Sequence, residues 1–133
     1  MRALARRGVS VAPAKSGPDY IDPTFHAAAS GRAGRNLDVW AMRHETLAAA
    51  IGFLGANADI VVCEGAMGLY DGIDARGTGS TADLAAAAGW PVALVVDTRG
   101  LAASAGPLVA GFVRARDDLA FAGVIFNRCG GPS

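Results

Sequence analysis

Apolar residues fall along this chain in short runs separated by stretches of helical spacing. Runs at residues 9–13 (Val-Ser-Val-Ala-Pro), 59–63 (Asp-Ile-Val-Val-Cys), 91–97 (Pro-Val-Ala-Leu-Val-Val-Asp) and 122–127 (Ala-Gly-Val-Ile-Phe-Asn) predict four strands. The second is β-branched and lacks alternation, which predicts a strand buried on both faces. Helices are predicted up to Gly8, over 43–56 and over 103–116, the last interrupted by Gly106, Pro107 and Gly111. Ser80-Thr81-Ala82-Asp83 is a capping box that opens an Ala-rich helix running to Ala88, and Gly89 ends it. This alternation predicts an α/β fold, a mostly parallel open sheet with helices on both faces. Residues 15–42 show little periodicity, and loops of that length inside compact domains are usually functional or disordered.

Composition narrows the class. With 133 residues, 52% of them hydrophobic, the chain is one domain or a piece of one and too apolar for disorder. Lys+Arg and Asp+Glu are both 12, so charge gives no reason to expect nucleic acid or a membrane surface as partner. No apolar run approaches the ~20 residues of a membrane span, and the cationic start lacks the apolar region of a secretory signal. The expectation is a cytoplasmic, reduced protein, with Cys63 and Cys129 as ordinary core and loop residues.

Two loops carry the chemistry. Lys15-Ser16-Gly17-Pro18-Asp19-Tyr20-Ile21-Asp22-Pro23-Thr24-Phe25-His26 follows the first strand, and Glu64-Gly65-Ala66-Met67-Gly68-Leu69-Tyr70-Asp71-Gly72 follows the second. Ligands of open α/β sheets bind at the carboxyl ends of the strands. An Asx-type turn with solvated carboxylates would account for the first loop. The placement of Lys15 at the strand end, and of Asp19 and Asp22 around Tyr20 and Ile21, points instead to a ligand. Glu64 closes an apolar strand, which holds its carboxylate rigidly where a nucleotide's Mg²⁺ can sit. Gly65 and Gly68 would allow close backbone approach to a ligand.

Other residues say less. Asp97 and Asn127 also end strands, and each is equally a cap or a ligand. His26 and His44 have no metal-ligand spacing and read as surface or loop-packing residues. Tyr20, Phe25 and Trp40 could wall a planar substrate or pack the long loop. The 77–81 segment, Gly-Thr-Gly-Ser-Thr, reads first as a capping loop. Nowhere do these residues contain Gly-x-x-x-x-Gly-Lys-Ser/Thr, so the chain has no P-loop.

The first string with the Ala-Ala-Ala-Ser-Gly-Arg and Arg-Asn-Leu-Asp that follow it, the second with Gly-Ser-Thr-Ala-Asp-Leu-Ala, and the Gly-Val-Ile-Phe-Asn-Arg near the end resemble the cobyrinic acid a,c-diamide synthase family. That family includes the hydrogenobyrinic acid a,c-diamide synthases. The likeness covers essentially the whole chain. It implies a dethiobiotin synthetase-like, P-loop NTPase-like domain and a ligase that uses ATP, Mg²⁺ and glutamine. Such a ligase amidates the a and c acetate carboxylates of a corrin in cobalamin biosynthesis. A C-terminal glutaminase domain would supply ammonia.

By the same resemblance, Glu64 and Asp22 would serve the metal and the phosphates, with Asp71 in the same catalytic loop. Lys15, Asp19, Tyr20 and Ile21 would handle the substrate, and Asn127 would recognise adenine. Family members begin with a strand and a P-loop and end with the glutaminase. The chain therefore reads as part of the ATP-binding domain, its further strand expected between those at 59–63 and 91–96, and as inactive by itself. A non-catalytic module that binds a corrin or a partner is the alternative, and a homodimer stays open. Dethiobiotin synthetases and partition-type ATPases lack the Gly-Pro-Asp-Tyr-Ile-Asp-Pro loop, which argues against them.

Overall fold

The computed structural model describes residues 1–130. Helix α1 (Arg2–Ala5) leads to strand β1 (Val11–Ser16), helix α2 (Asp22–Ser30), strand β2 (Arg35–Leu37), helix α3 (His44–Ala56), strand β3 (Ile60–Glu64) and helix α4 (Thr81–Ala88). Strand β4 (Val92–Asp97), helix α5 (Ala105–Arg114) and strand β5 (Phe121–Asn127) follow. The elements form two compact units, Met1–Ala88 and the residues from Gly89 onward. No described helix is long and apolar enough to cross a membrane.

In the first unit the strands pair in the order β2-β1-β3, all parallel. Strand β1 has a neighbour on each side, and all six of its residues are buried. Pro13 is tolerated in this central strand because the register with β2 begins only at Ala14, so its missing N–H interrupts no rung there. Beyond Pro13 the strand runs on to Ser16, three residues further than the apolar run predicts. Helix α2 packs on β1, and α3 on β2 and β3. Leu37, Leu47, Leu54, Leu84 and Val11 form much of the buried apolar core of this unit.

The second unit is the parallel pair β4-β5 with α5. Its register slips by one residue after Val92, a bulge at Ala122. Burial alternates along β4: Leu94 and Val96 are buried, whereas Val95 is 59% exposed.

The α/β class and the parallel strands are as expected, but three details differ. The strands form two sheets, not one. Strand β3 is only half-buried, because as an edge strand it has a neighbour on one side alone. The aperiodic 15–42 stretch contains α2 and β2; β2 is too short to show a period, and α2 has too small an apolar face. Helix α4 starts where the capping box places it. Ser80 Oγ accepts the Asp83 N–H at 3.3 Å, and the Asp83 carboxylate accepts the Gly79 N–H at 2.9 Å.

Candidate functional site

The site is built where β1 and β3 end. Lys15 and Glu64 are partners in the parallel register. Paired residues on neighbouring strands project to the same face, so the two side chains meet there. Helix α2 lies over this end and presents Asp22 and His26. These are four residues apart and therefore on one helix face.

Lys15 is buried. Its Nζ stands 2.8 Å from Asp22 Oδ2, donates to the Gly65 carbonyl at 2.9 Å and lies 3.7 Å from Glu64 Oε2. Burial works against its charge. The Asp22 hydrogen bond, with the charges of Glu64, Asp22 and Asp19, outweighs burial and raises its pKa above the ordinary lysine value. Glu64 Oε2 makes its shortest contact with His26 Nε2, at 2.6 Å. His26 was expected at the surface or in loop packing. Its side chain is instead 12% exposed and joins the cluster. The four-residue spacing from Asp22 was the signal that could have found it.

The remaining carboxylates of the two motifs serve locally. Asp19 Oδ1 accepts the N–H groups of Ile21 (2.7 Å) and Asp22 (3.0 Å) and so shapes the entry to α2. Those two backbone bonds, that of Asp22 first, hold its carboxyl below the usual range. Its carbonyl also accepts from the Asn36 side chain. The Asx-turn reading, set aside for the loop as a whole, is what Asp19 does. Asp71 Oδ2 accepts the Gly68 N–H at 2.9 Å and braces the second loop. Gly65 is close-packed against the Thr81 side chain and Gly68 against the Asp71 carboxylate, so both glycines accommodate the protein's own groups. Thr81 Oγ1 also accepts the Ala66 N–H at 3.1 Å, tying this loop to the start of α4.

Tyr20 and Ile21 project outward, 88% and 52% exposed. A cavity of about 350 Å³ opens between the two motif loops, lined by Gly17, Pro18, Trp40, Met67, Asp71 and Ile73 among others. Trp40 forms part of its wall; Tyr20 and Phe25 do not, so the three aromatics make no common wall.

In the second unit, Asp97 accepts from Arg99 and from Arg128, the latter at 3.0 Å. The Arg99 guanidinium, foremost, holds its carboxyl below the usual range. Asn127 ends β5 opposite Asp97. Its Oδ1 accepts the Arg128 N–H and its carbonyl accepts from Thr98. Both cysteines are free, and burial pushes the Cys63 thiol up to about 11, in keeping with an inert residue.

Comparison with known proteins decides the family likeness. The chain is 55% identical over 130 residues to the hydrogenobyrinate a,c-diamide synthase of Rhizobium meliloti, a match that covers 98% of this chain. This chain is a relative of the hydrogenobyrinate a,c-diamide synthases. Proteins of that name from Rhodobacter capsulatus and Brucella ovis are each 51% identical, over 135 and 134 residues. The chain spans about 30% of the length of these synthases. No family model and no solved structure matches it. The resemblance read from the two motif strings is thus met over nearly the whole chain.

The residues of the cluster suit a divalent cation held together with a substrate. Asp22 and Glu64 each commit one oxygen to Lys15 or His26 and keep a second, and both are partly exposed. One or two carboxylates plus substrate phosphates is the usual Mg²⁺ environment. Among the described residues no group of three His, Cys, Asp or Glu could enclose a metal alone.

Proposed function

We propose that this chain is part of an ATP- and glutamine-dependent amidotransferase that converts the a and c acetate carboxylates of a corrin to amides in cobalamin biosynthesis. On this reading its fold is that of a dethiobiotin synthetase-like, P-loop NTPase-like domain. Other segments of such a protein supply the phosphate cradle and the ammonia-producing glutaminase. The observation that carries the reading is the coincidence of two things. The chain is 55% identical to a synthase of this name, and its two motif loops bring Lys15, Asp22, His26 and Glu64 together at the ends of β1 and β3.

A carboxylate is a poor electrophile, so amidation needs an activated acid. In the proposed reaction a corrin carboxylate oxygen attacks the γ-phosphorus of ATP, ADP leaves, and ammonia then displaces phosphate from the acyl phosphate. Asp22 and Glu64 would hold Mg²⁺, which when bound offsets the negative charge converging at the phosphates. Lys15, buried and kept charged by its carboxylate neighbours, provides a fixed positive charge that holds Asp22 in place. Tyr20 and Ile21, exposed beside the cluster, offer apolar surface for a macrocycle. Asn127 would contact the adenine. The 133 residues contain no P-loop, so they supply the acidic side of the nucleotide site and not its phosphate cradle.

The test is a chimera in which this chain replaces the matching segment of the Rhizobium meliloti synthase. Glutamine- and ATP-dependent formation of the diamide from hydrogenobyrinic acid, followed by mass spectrometry, is the expected result. Glu64→Gln and Asp22→Asn should lower turnover while corrin affinity holds. A folded chimera that binds corrin without amidating it would overturn the reading in favour of a non-catalytic module.

A further inference from the structure

Helix α2 sorts two neighbouring rings against their polarity. Phe25 is 70% exposed, whereas the side chain of His26 is 12% exposed. Apolar burial alone would put the phenyl inside and the imidazole outside. A polar partner must therefore account for the ring's position, and it is Glu64. Nε2 lies 2.6 Å from Oε2 across 38 residues of sequence. An ionised carboxylate only accepts, so Nε2 is the donor. The other ring nitrogen, Nδ1, is buried with no hydrogen-bond partner among the described residues. A buried ring nitrogen without a partner costs free energy, and among the described residues Glu64 is the ring's one polar anchor.

Glu64 in turn depends on His26. Lys15 is already committed, with Nζ donating to Gly65 O at 2.9 Å and paired with Asp22 at 2.8 Å. At 3.7 Å from Glu64 Oε2 it supplies charge but no hydrogen bond. Glu64 ends an edge strand with half its side chain exposed, where a side chain of several torsions samples many rotamers unless something holds it. The cluster thus consists of two matched pairs. Lys15 and Glu64 face each other in the strand register, Asp22 and His26 share a face of α2, and each strand residue takes one helix residue as its close partner.

We propose that His26 is the positioning residue of Glu64: its Nε2 hydrogen bond fixes the carboxylate at the end of β3, as Lys15 fixes Asp22. The functional consequence rests on Glu64 serving the amidation reaction; the contact itself does not. Groups that orient a metal-binding or catalytic carboxylate typically contribute about 10- to 100-fold.

In the chimeric synthase, His26→Ala should lower kcat by about 10- to 100-fold, with the corrin KM changed by no more than about twofold. His26→Gln places an amide N–H near the position of Nε2 and should restore most of the loss. Unchanged kcat in His26→Ala would overturn the proposal. So would equal losses in the Ala and Gln variants, or a fall explained entirely by a smaller folded fraction. A second measurement needs no turnover. In the 133-residue chain labelled with ¹⁵N-histidine, the His26 Nε2 resonance should shift in Glu64→Ala, and an unmoved resonance would refute the contact. A parent chimera without amidation would instead defeat the reading of Glu64 as part of the reaction, while the nitrogen resonance still decides whether His26 holds it.

Discussion

Replacing Lys15 with Met keeps an unbranched apolar stem and removes the ammonium, and the structure says what should follow. Two close contacts are lost: the 2.8 Å pair with Asp22 and the 2.9 Å bond to the Gly65 carbonyl. Hydrogen bonds involving a charged group contribute about 1.5 kcal/mol each at the low end, or about 3 kcal/mol together. Asp22 and Glu64 are 39% and 51% exposed, so water takes over much of the ammonium's role and the loss is roughly halved, to about 1.5 kcal/mol. The pH dependence gives a sharper signature. The folded pKa of Lys15 is raised above 10.5. Its stabilising contribution is therefore fully present below that value and disappears as pH rises through the folded pKa. Urea unfolding of the chain and its Lys15→Met variant, followed by circular dichroism between pH 7 and 11.5, measures both effects. The parent should be more stable at pH 7, and the gap should close at the alkaline end. A variant as stable as the parent at pH 7, or a gap that stays constant or widens with pH, would refute the account of Lys15 as a net-stabilising cation.

Three further outcomes are expected. Leu37 is fully buried at the end of β2, so Leu37→Ala should destabilise the chain by about 2–5 kcal/mol in the same assay; a loss well below that would mean the site collapses without leaving a cavity. Tyr20→Ala and Ile21→Ala, at exposed positions, should change stability by less than about 0.5 kcal/mol yet weaken hydrogenobyrinic acid binding by the chimeric synthase, read by fluorescence quenching; unchanged affinity would remove them from the substrate surface. Cys63, its thiol pushed up to about 11, should carry only about one thiolate in a thousand at pH 8. Mass spectrometry after brief iodoacetamide treatment should find Cys129 modified well before Cys63, and the reverse order would contradict the burial of that thiol.

The sequence alone determined the alternation of strands and helices, the α/β class, the two motif loops and the family they resemble. These are readable because they are local or because they survive as uninterrupted strings: apolar runs, a capping box, twelve motif residues in a row. It also placed Lys15 and Glu64 at strand ends. What it could not do was sort the carboxylates within a loop. Asp19 and Asp22 stand three residues apart in the same turn, yet Asp19 is drawn to the N–H groups of Ile21 and Asp22 while Asp22 reaches Lys15. Asp71 is likewise taken by Gly68, and Asp97 by two arginines.

The choice between local backbone donor and distant side chain is made by tertiary structure. The β1–β3 register sets Lys15 opposite Glu64 across 49 positions, and the docking of α2 on β1 turns His26 inward and Phe25 outward. His26 was misjudged for that reason: its partner is 38 residues away, and the four-residue spacing that puts it on the Asp22 face of α2 does not by itself show that this face meets Glu64. Strand burial was misread for a related one. Apolar content shows that a run can enter a core, but the number of hydrogen-bonded neighbours a strand acquires decides how much of it is covered. β1 has neighbours on both sides and is buried throughout; β3, with the same apolar character, has one neighbour and is not.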